Sequence, residues 1–228
     1  MRNTPAPAGP AGPRIPARDR VRAFVRDGIM SGAFAAGTFL EEEQISAATG
    51  VSRTPVREAF QQLHSQRLID LLPRRGAMVR AVTVQELIEV CETRLMVEAH
   101  VARKLCTGRQ PVPPAMLSAL AAMQGDPQGS LAAHVGLNTA FHQGLVAASD
   151  NEVIIGLYDA LSTRQERVAM TAVTISPDRR KLILDEHEQL VAALAAHDAV
   201  AAVAVLTVHL RPVREILSQL PDSGAGAG

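Results

Sequence analysis

Three histidines have a spacing that could hold a metal ion. His142 stands in "NTAFHQGL", with Asn138 four residues ahead of it on the same helical face. His187 precedes His197 by ten residues and His209 follows it by twelve. If the chain reverses at His197-Asp198 into an antiparallel helix pair, steps of about 15 Å and 18 Å bring both imidazoles to almost one height. Three imidazoles from three helices, with the Asn138 amide oxygen, would form an open divalent-metal site with room for water or a ligand carboxylate. Imidazole donors suit zinc or nickel. All four donors can be neutral, so a bound ion would leave a positive field that attracts an anion. Taken singly, each histidine is better explained as a hydrogen-bonded core residue, and it is the matched heights that favour a metal. His64, His100, His134 and His197 are expected to be structural or surface residues.

A second set of residues has chemistry for a polyanion. Arg53, Thr54, Arg57 and Gln61 lie on the face of a helix opposite the apolar stripe Val56, Ala59, Phe60 and Leu63. Ser52 is placed to cap that helix. A turn at Thr49–Val51 containing Gly50 separates it from a short helix over Glu42–Ala48. An earlier helix over Ala17–Ser31 carries Val21, Val25 and Ile29 on one face. After the Arg-bearing helix, Ile69–Leu72 and Ala77–Ala81 predict two strands joined by Pro73-Arg74-Arg75-Gly76, a hairpin with a basic tip. Helix, helix, glycine turn, helix and basic hairpin make a winged helix-turn-helix. Such a unit can place Arg and Thr side chains in the major groove and set Arg74, Arg75 and Gly76 against phosphate or the minor groove. An Arg-rich helix face alone is usually just solvated; the ordered set is the stronger signal.

The remaining elements must position the histidines. From Val84 onward the pattern predicts six helices, over Val84–Cys106, Pro113–Gln124, Leu131–Ser149, Asn151–Val173, Pro177–Ala196 and Ala199–Gln219. The fold class is therefore mainly α, an N-terminal winged helix-turn-helix followed by an all-helical, ligand-binding bundle. With 228 residues, 47% of them hydrophobic and 20% charged, the chain can fill a core. Only 3% are aromatic and none is Trp, which argues against stacking-based readers of single strands. The net charge of zero hides an asymmetry: residues 1–80 carry +5 and residues 81–228 carry −5. A polyanion at the front is the implication. Cys91 and Cys106 on one helix would sit roughly 22 Å apart, too far to pair, as suits buried thiols in a reducing cytoplasm. Residues 1–16 are expected to be a disordered leader and residues 221–228 a disordered tail. The apolar stretch Leu190–Leu210 is interrupted by His197, Asp198 and His209, which points to two soluble helices and not a membrane span.

The segment "GVSRTPVREAFQQLHSQRLIDLLPRRGAMV" resembles the DNA-binding signature of the GntR superfamily of bacterial transcription regulators. The second half resembles the FCD-type effector domain of FadR-like regulators, in its six-helix VanR-like variant. The resemblance implies a winged domain over 17–81 and an effector and dimerisation domain over 84–220. It also implies a cytoplasmic homodimer on an inverted-repeat operator, acting as a repressor or activator that answers to a small carboxylate. Arg53 and Arg57 match the family's recognition arginines, and Gly76 matches the wing-tip glycine. Glu43 departs from it, standing where some members carry a DNA-contacting arginine. It either turns away to pair with a nearby Arg or marks a separate operator preference. The metal-binding subgroup's "D-x3-H … H … H" corresponds to Asn138, His142, His187 and His209, with Asn for Asp removing a charge and weakening the site. Arg94 is four residues before Glu98, so an i,i+4 ion pair is its plain explanation. The family position implies that it forks onto an effector carboxylate, with Arg164 and Arg167 as weaker candidates. A rival reading, a metal-dependent hydrolase or lyase using the three histidines, lacks an obvious general base and leaves Arg53 and Arg57 without a purpose.

Overall fold

The computed structural model describes residues 15–73 and 75–222. The expected leader up to residue 14, Arg74 and the tail from residue 223 lie outside the described residues. The elements run α1 (Ala17–Met30), β1 (Phe39–Leu40), α2 (Glu42–Thr49), α3 (Arg53–Ser65), β2 (Ile69–Leu72) and β3 (Gly76–Val79). They continue as α4 (Val84–Thr107), α5 (Pro114–Gly125), α6 (Leu131–Ala147), α7 (Glu152–Ile175), α8 (Arg179–Ala195), α9 (Ala199–His209) and α10 (Arg214–Leu217).

The first unit closes on one apolar cluster. Val21, Val25 and Ile29 of α1 bury against Val56, Ala59, Phe60 and Leu63 of α3, with Leu40, Ile69 and Val79 from the strands completing it. Gly50 ends α2 in the left-handed conformation, φ 66°, which lets the chain reverse tightly into α3. Ser52 occupies the N-cap position with extended backbone but makes no capping hydrogen bond, contrary to the expectation. The sheet has three strands in the order β1-β3-β2, all antiparallel, where the sequence suggests two. At two residues, β1 is too short for any alternation to register.

The helical unit gathers Leu105, Met116, Phe141, Leu145, Leu190 and Leu206 into a second core. Four of its helices begin at side-chain caps: Thr83 accepts from Glu86 N–H, Ser130 from Ala133, Asn151 from Val153 and Ile154, and Asp198 from Ala201. His197 takes a left-handed φ of 55° at the reversal between α8 and α9, the junction that the histidine spacing requires. One expectation needs correction: Ala199–Gln219 is not one helix. Pro212 has no N–H to donate and its ring would collide with the carbonyl four residues back, so α9 stops at His209 and α10 forms separately. That break turns Val213, Ile216, Leu217 and Leu220 onto Val82, Leu87, Val90 and Val168. The Val84 N–H donates to the Pro221 carbonyl at 3.1 Å. Cys91 and Cys106 are free thiols.

Gly76 opens β3 at φ 112°, and a Cβ there would drive into the Leu40 carbonyl of β1. Gly76→Ala should therefore cost about 1–3 kcal/mol of stability, measured by urea unfolding; an unchanged midpoint would show that the wing relaxes freely.

Candidate functional site

The packing of α3 on α1 leaves Ser52, Arg53, Thr54, Arg57 and Gln61 exposed on one face, beside the wing residues Arg75 and Gly76. Glu43 turns onto α3, its Oε1 at 3.1 Å from Arg53 Nη2. Arg57 is paired as well, Nε donating to Glu42 Oε2 at 2.7 Å. The sequence allowed for the first pairing and gave no sign of the second.

The helical unit brings the three histidines together as their spacing requires. His142 on α6, His187 on α8 and His209 on α9 are buried, and their ligand atoms lie within 4.8 Å of one another. The Nε2 atoms of His187 and His209 are 3.2 Å and 3.1 Å from that of His142. Two nitrogens about 2.05 Å from a common ion would be separated by such distances at an angle of roughly 100°. The outer nitrogens fix the tautomers. His142 Nδ1 donates to Glu98 Oε2 at 2.7 Å, and His209 Nδ1 donates to Glu186 Oε2 at 2.7 Å. Both Nε2 atoms are then unprotonated lone pairs facing one another, an arrangement a cation would relieve. His187 stacks on Phe141 with centroids 3.9 Å apart. Asn138, one turn before His142, is buried with its Oδ1 unpartnered among the described residues, so an oxygen donor is on hand.

Glu98 is fully buried and engages more than its i,i+4 neighbour. Its Oε1 accepts from Arg94 Nε at 2.9 Å and from the Tyr158 hydroxyl at 2.6 Å, while Oε2 serves His142. Burial alone would raise its pKa, but the Arg94 charge together with His142 and the hydrogen bonds from His142 and Tyr158 outweighs this and holds the carboxyl well below the usual range. Burial pushes His142 down to about 3 against the pull of Glu98. It also lowers His187 well below the ordinary imidazole value, with His142 and His209 adding to the effect. The site is therefore not a purely neutral donor set, because two carboxylates stand directly behind it.

A pocket between α4, α6, α7, α8 and the segment around Pro212 opens beside His209 and Asn138. Arg94, Arg179 and Arg211 supply positive charge to its wall, and Val135, Val168, Val173, Ile183 and Ile216 make it apolar. Arg94 Nη2 is buried there without a partner among the described residues. His134, expected to be structural or surface, is buried, lines the same pocket and leaves Nε2 unpartnered. Arg164 does not join them: its Nε is 3.2 Å from Glu86 Oε1 and its Nη2 3.5 Å from Glu89, away from the pocket wall. Arg167 likewise bonds Glu86. Sequence reasoning missed Glu186 and Tyr158 and saw Glu98 only as a partner for Arg94. Adjacency to His187 was the sole sign of Glu186.

An exposed arginine face on a winged helix, joined to a helical bundle holding a histidine-lined pocket, defines a DNA-binding transcription regulator. Residues 17–79 match the family of bacterial regulatory proteins, gntR family, and residues 89–212 match the FCD domain. The chain belongs to the GntR family of regulators and carries an FCD domain. It is similar to the HTH-type transcriptional repressor RspR of Escherichia coli K12, 27% identical over 219 residues, covering 91% of this chain and 92% of that one. The gluconate operon transcriptional repressor of Bacillus subtilis 168 is 27% identical over 207 residues, covering 88% and 85%. Among solved structures, a chain from Rhodococcus sp. RHA1 described as a GntR transcriptional regulator superposes with a TM-score of 0.71 at 27% identity, covering 85% and 93%. These relatives are regulators and not enzymes, which removes the hydrolase or lyase reading. The carboxylates agree with that outcome, since Glu98 and Glu186 face the Nδ1 side of the rings and orient them.

The buried imidazoles should make the protein acid-labile in a defined window when no ion is bound. Unfolded histidines bind protons near pH 6.5, whereas folded His142 does so only near 3. Stability is fully present above about 6.5 and should fall toward 3, by at most about 1.4 kcal/mol per pH unit for each of His142 and His187. Urea unfolding at several pH values checks this; a flat profile below 6.5 would mean that the folded rings titrate normally.

Proposed function

We propose that this chain is an operator-binding repressor whose DNA affinity is set by a small carboxylate held beside a divalent ion. The observation that carries the reading is a three-histidine cluster whose His209 shares a pocket wall with Asn138 and Arg94, these two carrying the orphaned Oδ1 and Nη2. His142, His187, His209 and Asn138 would hold the ion, zinc or nickel by donor type. The ion would supply a positive centre for a carboxylate oxygen. Arg94 Nη2 takes the anion's other oxygens, Glu98 holds that guanidinium in place, and the apolar wall excludes water from around the pair. Arg164 has no part in the pocket.

Residues 17–81 form the DNA-binding unit and 84–220 the effector unit. Arg53, Thr54, Arg57 and Gln61, with Ser52 at the head of α3, address the major groove, while Arg74, Arg75 and Gly76 approach the backbone. One winged helix spans few base pairs, so two copies on an inverted repeat are needed. Val153 and Leu157 of α7 and Met96 of α4 are exposed at 71%, 63% and 69%, apolar surface suited to pairing two chains as a homodimer. Among the described residues no helix is long and apolar enough to cross a membrane.

Arg57→Ala should weaken operator binding by about 1–3 kcal/mol if the fork is bidentate to guanine. Fluorescence anisotropy with an operator selected from random duplexes measures it, and a folded variant binding like the parent would sink the assignment. For the pocket, titration calorimetry with zinc or nickel alone should show binding to the wild type and loss in His187→Ala. Arg94→Lys keeps a charge beside Glu98 but loses the fork, so it should keep the metal and lose the carboxylate response. Gluconate is the first acid to try, given the similarity to the gluconate operon repressor. If His187→Ala still released DNA on adding the acid, the effector site would lie elsewhere.

A further inference from the structure

Both guanidinium groups of the recognition helix are already paired in the free protein. Glu42 and Glu43, from the first turn of α2, reach across the groove to Arg57 and Arg53, with Glu41 on the same wall. Three consecutive carboxylates on a surface that meets a polyanion should weaken binding by repulsion. The pairs do little for stability, because Arg53, Glu43 and Arg57 side chains are 58%, 79% and 67% exposed and solvent screens such contacts. Their effect falls on DNA instead.

A carboxylate beside a guanidinium acts unequally on the two things the guanidinium can bind. Attraction to a phosphate is charge against charge, so a neutralised Arg loses most of it and releases no counterion. A guanine edge is a neutral pair of acceptors, and hydrogen bonding to it survives with far less loss. The atoms used fit this division at Arg57, whereas Arg53 meets Glu43 through Nη2 and keeps Nε and Nη1 for other partners. Arg57 gives Nε to Glu42, which leaves Nη1 and Nη2 as a fork for guanine O6 and N7. We infer that Glu42 and Glu43 are specificity-determining positioning residues: they hold Arg57 and Arg53 away from the backbone of arbitrary DNA and leave them competent for bases. This rests on α3 being the recognition helix. Glu43, where some members carry an arginine, then belongs to a device that suppresses non-specific binding.

The test uses the full chain with Glu42→Gln, Glu43→Gln and the double variant, isosteric changes at a half-buried and an exposed side chain that keep an acceptor while removing the charge. Binding to a selected operator and to a scrambled duplex of equal length is followed across a salt series. The double variant should bind the scrambled duplex roughly tenfold more tightly and the operator within about twofold of wild type, lowering the specificity ratio about tenfold. Its slope of log affinity against log salt on scrambled DNA should steepen by about 1–2, close to 0.9 for each guanidinium released. A purely structural role for the acids would not move that slope. Arg57→Ala is run alongside. If it loses operator binding while the Gln variants keep the parental ratio and slope, or gain equally on both duplexes, the inference is wrong and the recognition helix stands. If Arg57→Ala binds the operator normally, the recognition helix is misassigned and the inference falls with it.

Discussion

The FCD domain depends on a carboxylate that has no exposed surface. An isolated ion at the Glu98 position would be unfavourable by several kcal/mol, and it is tolerated because Arg94, Tyr158 and His142 all donate to it. Those donors come from α4, α7 and α6, so one charge ties three helices at a single point. It also sets the chemistry on both sides. On one side it fixes the His142 tautomer so that Nε2 faces the other two rings. On the other it takes Arg94 by Nε and leaves Nη2 buried without a partner among the described residues. The proposed metal donor His142 and the proposed anion donor Arg94 are thus held by opposite oxygens of the same group.

Arg–carboxylate pairs occur at both ends of the molecule with opposite physical characters. Around Arg94 the pair is dry, strong and permanent, since separating it would strand a charge in the core. Around Arg53 and Arg57 the pairs are wet and weak, and a competing ligand can open them. Burial alone makes the difference: the same two side-chain types build a fixed scaffold in one place and an exchangeable contact in the other.

Much of this was legible in the sequence where the signal is local. Val56, Ala59, Phe60 and Leu63 set the face of α3, and the ten and twelve residues on either side of His197 put His187 and His209 level. What escaped is long-range or very short. Nothing near Glu98 signals a bond to His142, 44 residues away, or to Tyr158, 60 residues away. Arg164 looked free because Glu86, its partner, is 78 residues distant. The strand Phe39–Leu40 exists only through its pairing with Met78 and Ala77. Pro212 was visible throughout, and the apolar run around it masked a break that its missing N–H dictates.

That break carries the chain back to where the bundle began. Val84 at the head of α4 and Pro221 after α10 are joined by one hydrogen bond, beside Val82, which follows the wing. Entry and exit of the helical unit are therefore the same place, and beyond that join Glu166 of α7 also reaches Arg26 of α1 at 3.6 Å. A unit whose two ends meet can be separated as a module. A different DNA reader could be grafted ahead of Val82 without cutting through the histidines, the Glu98 bonds or the pocket wall, which makes this bundle a portable unit as well as half of a regulator.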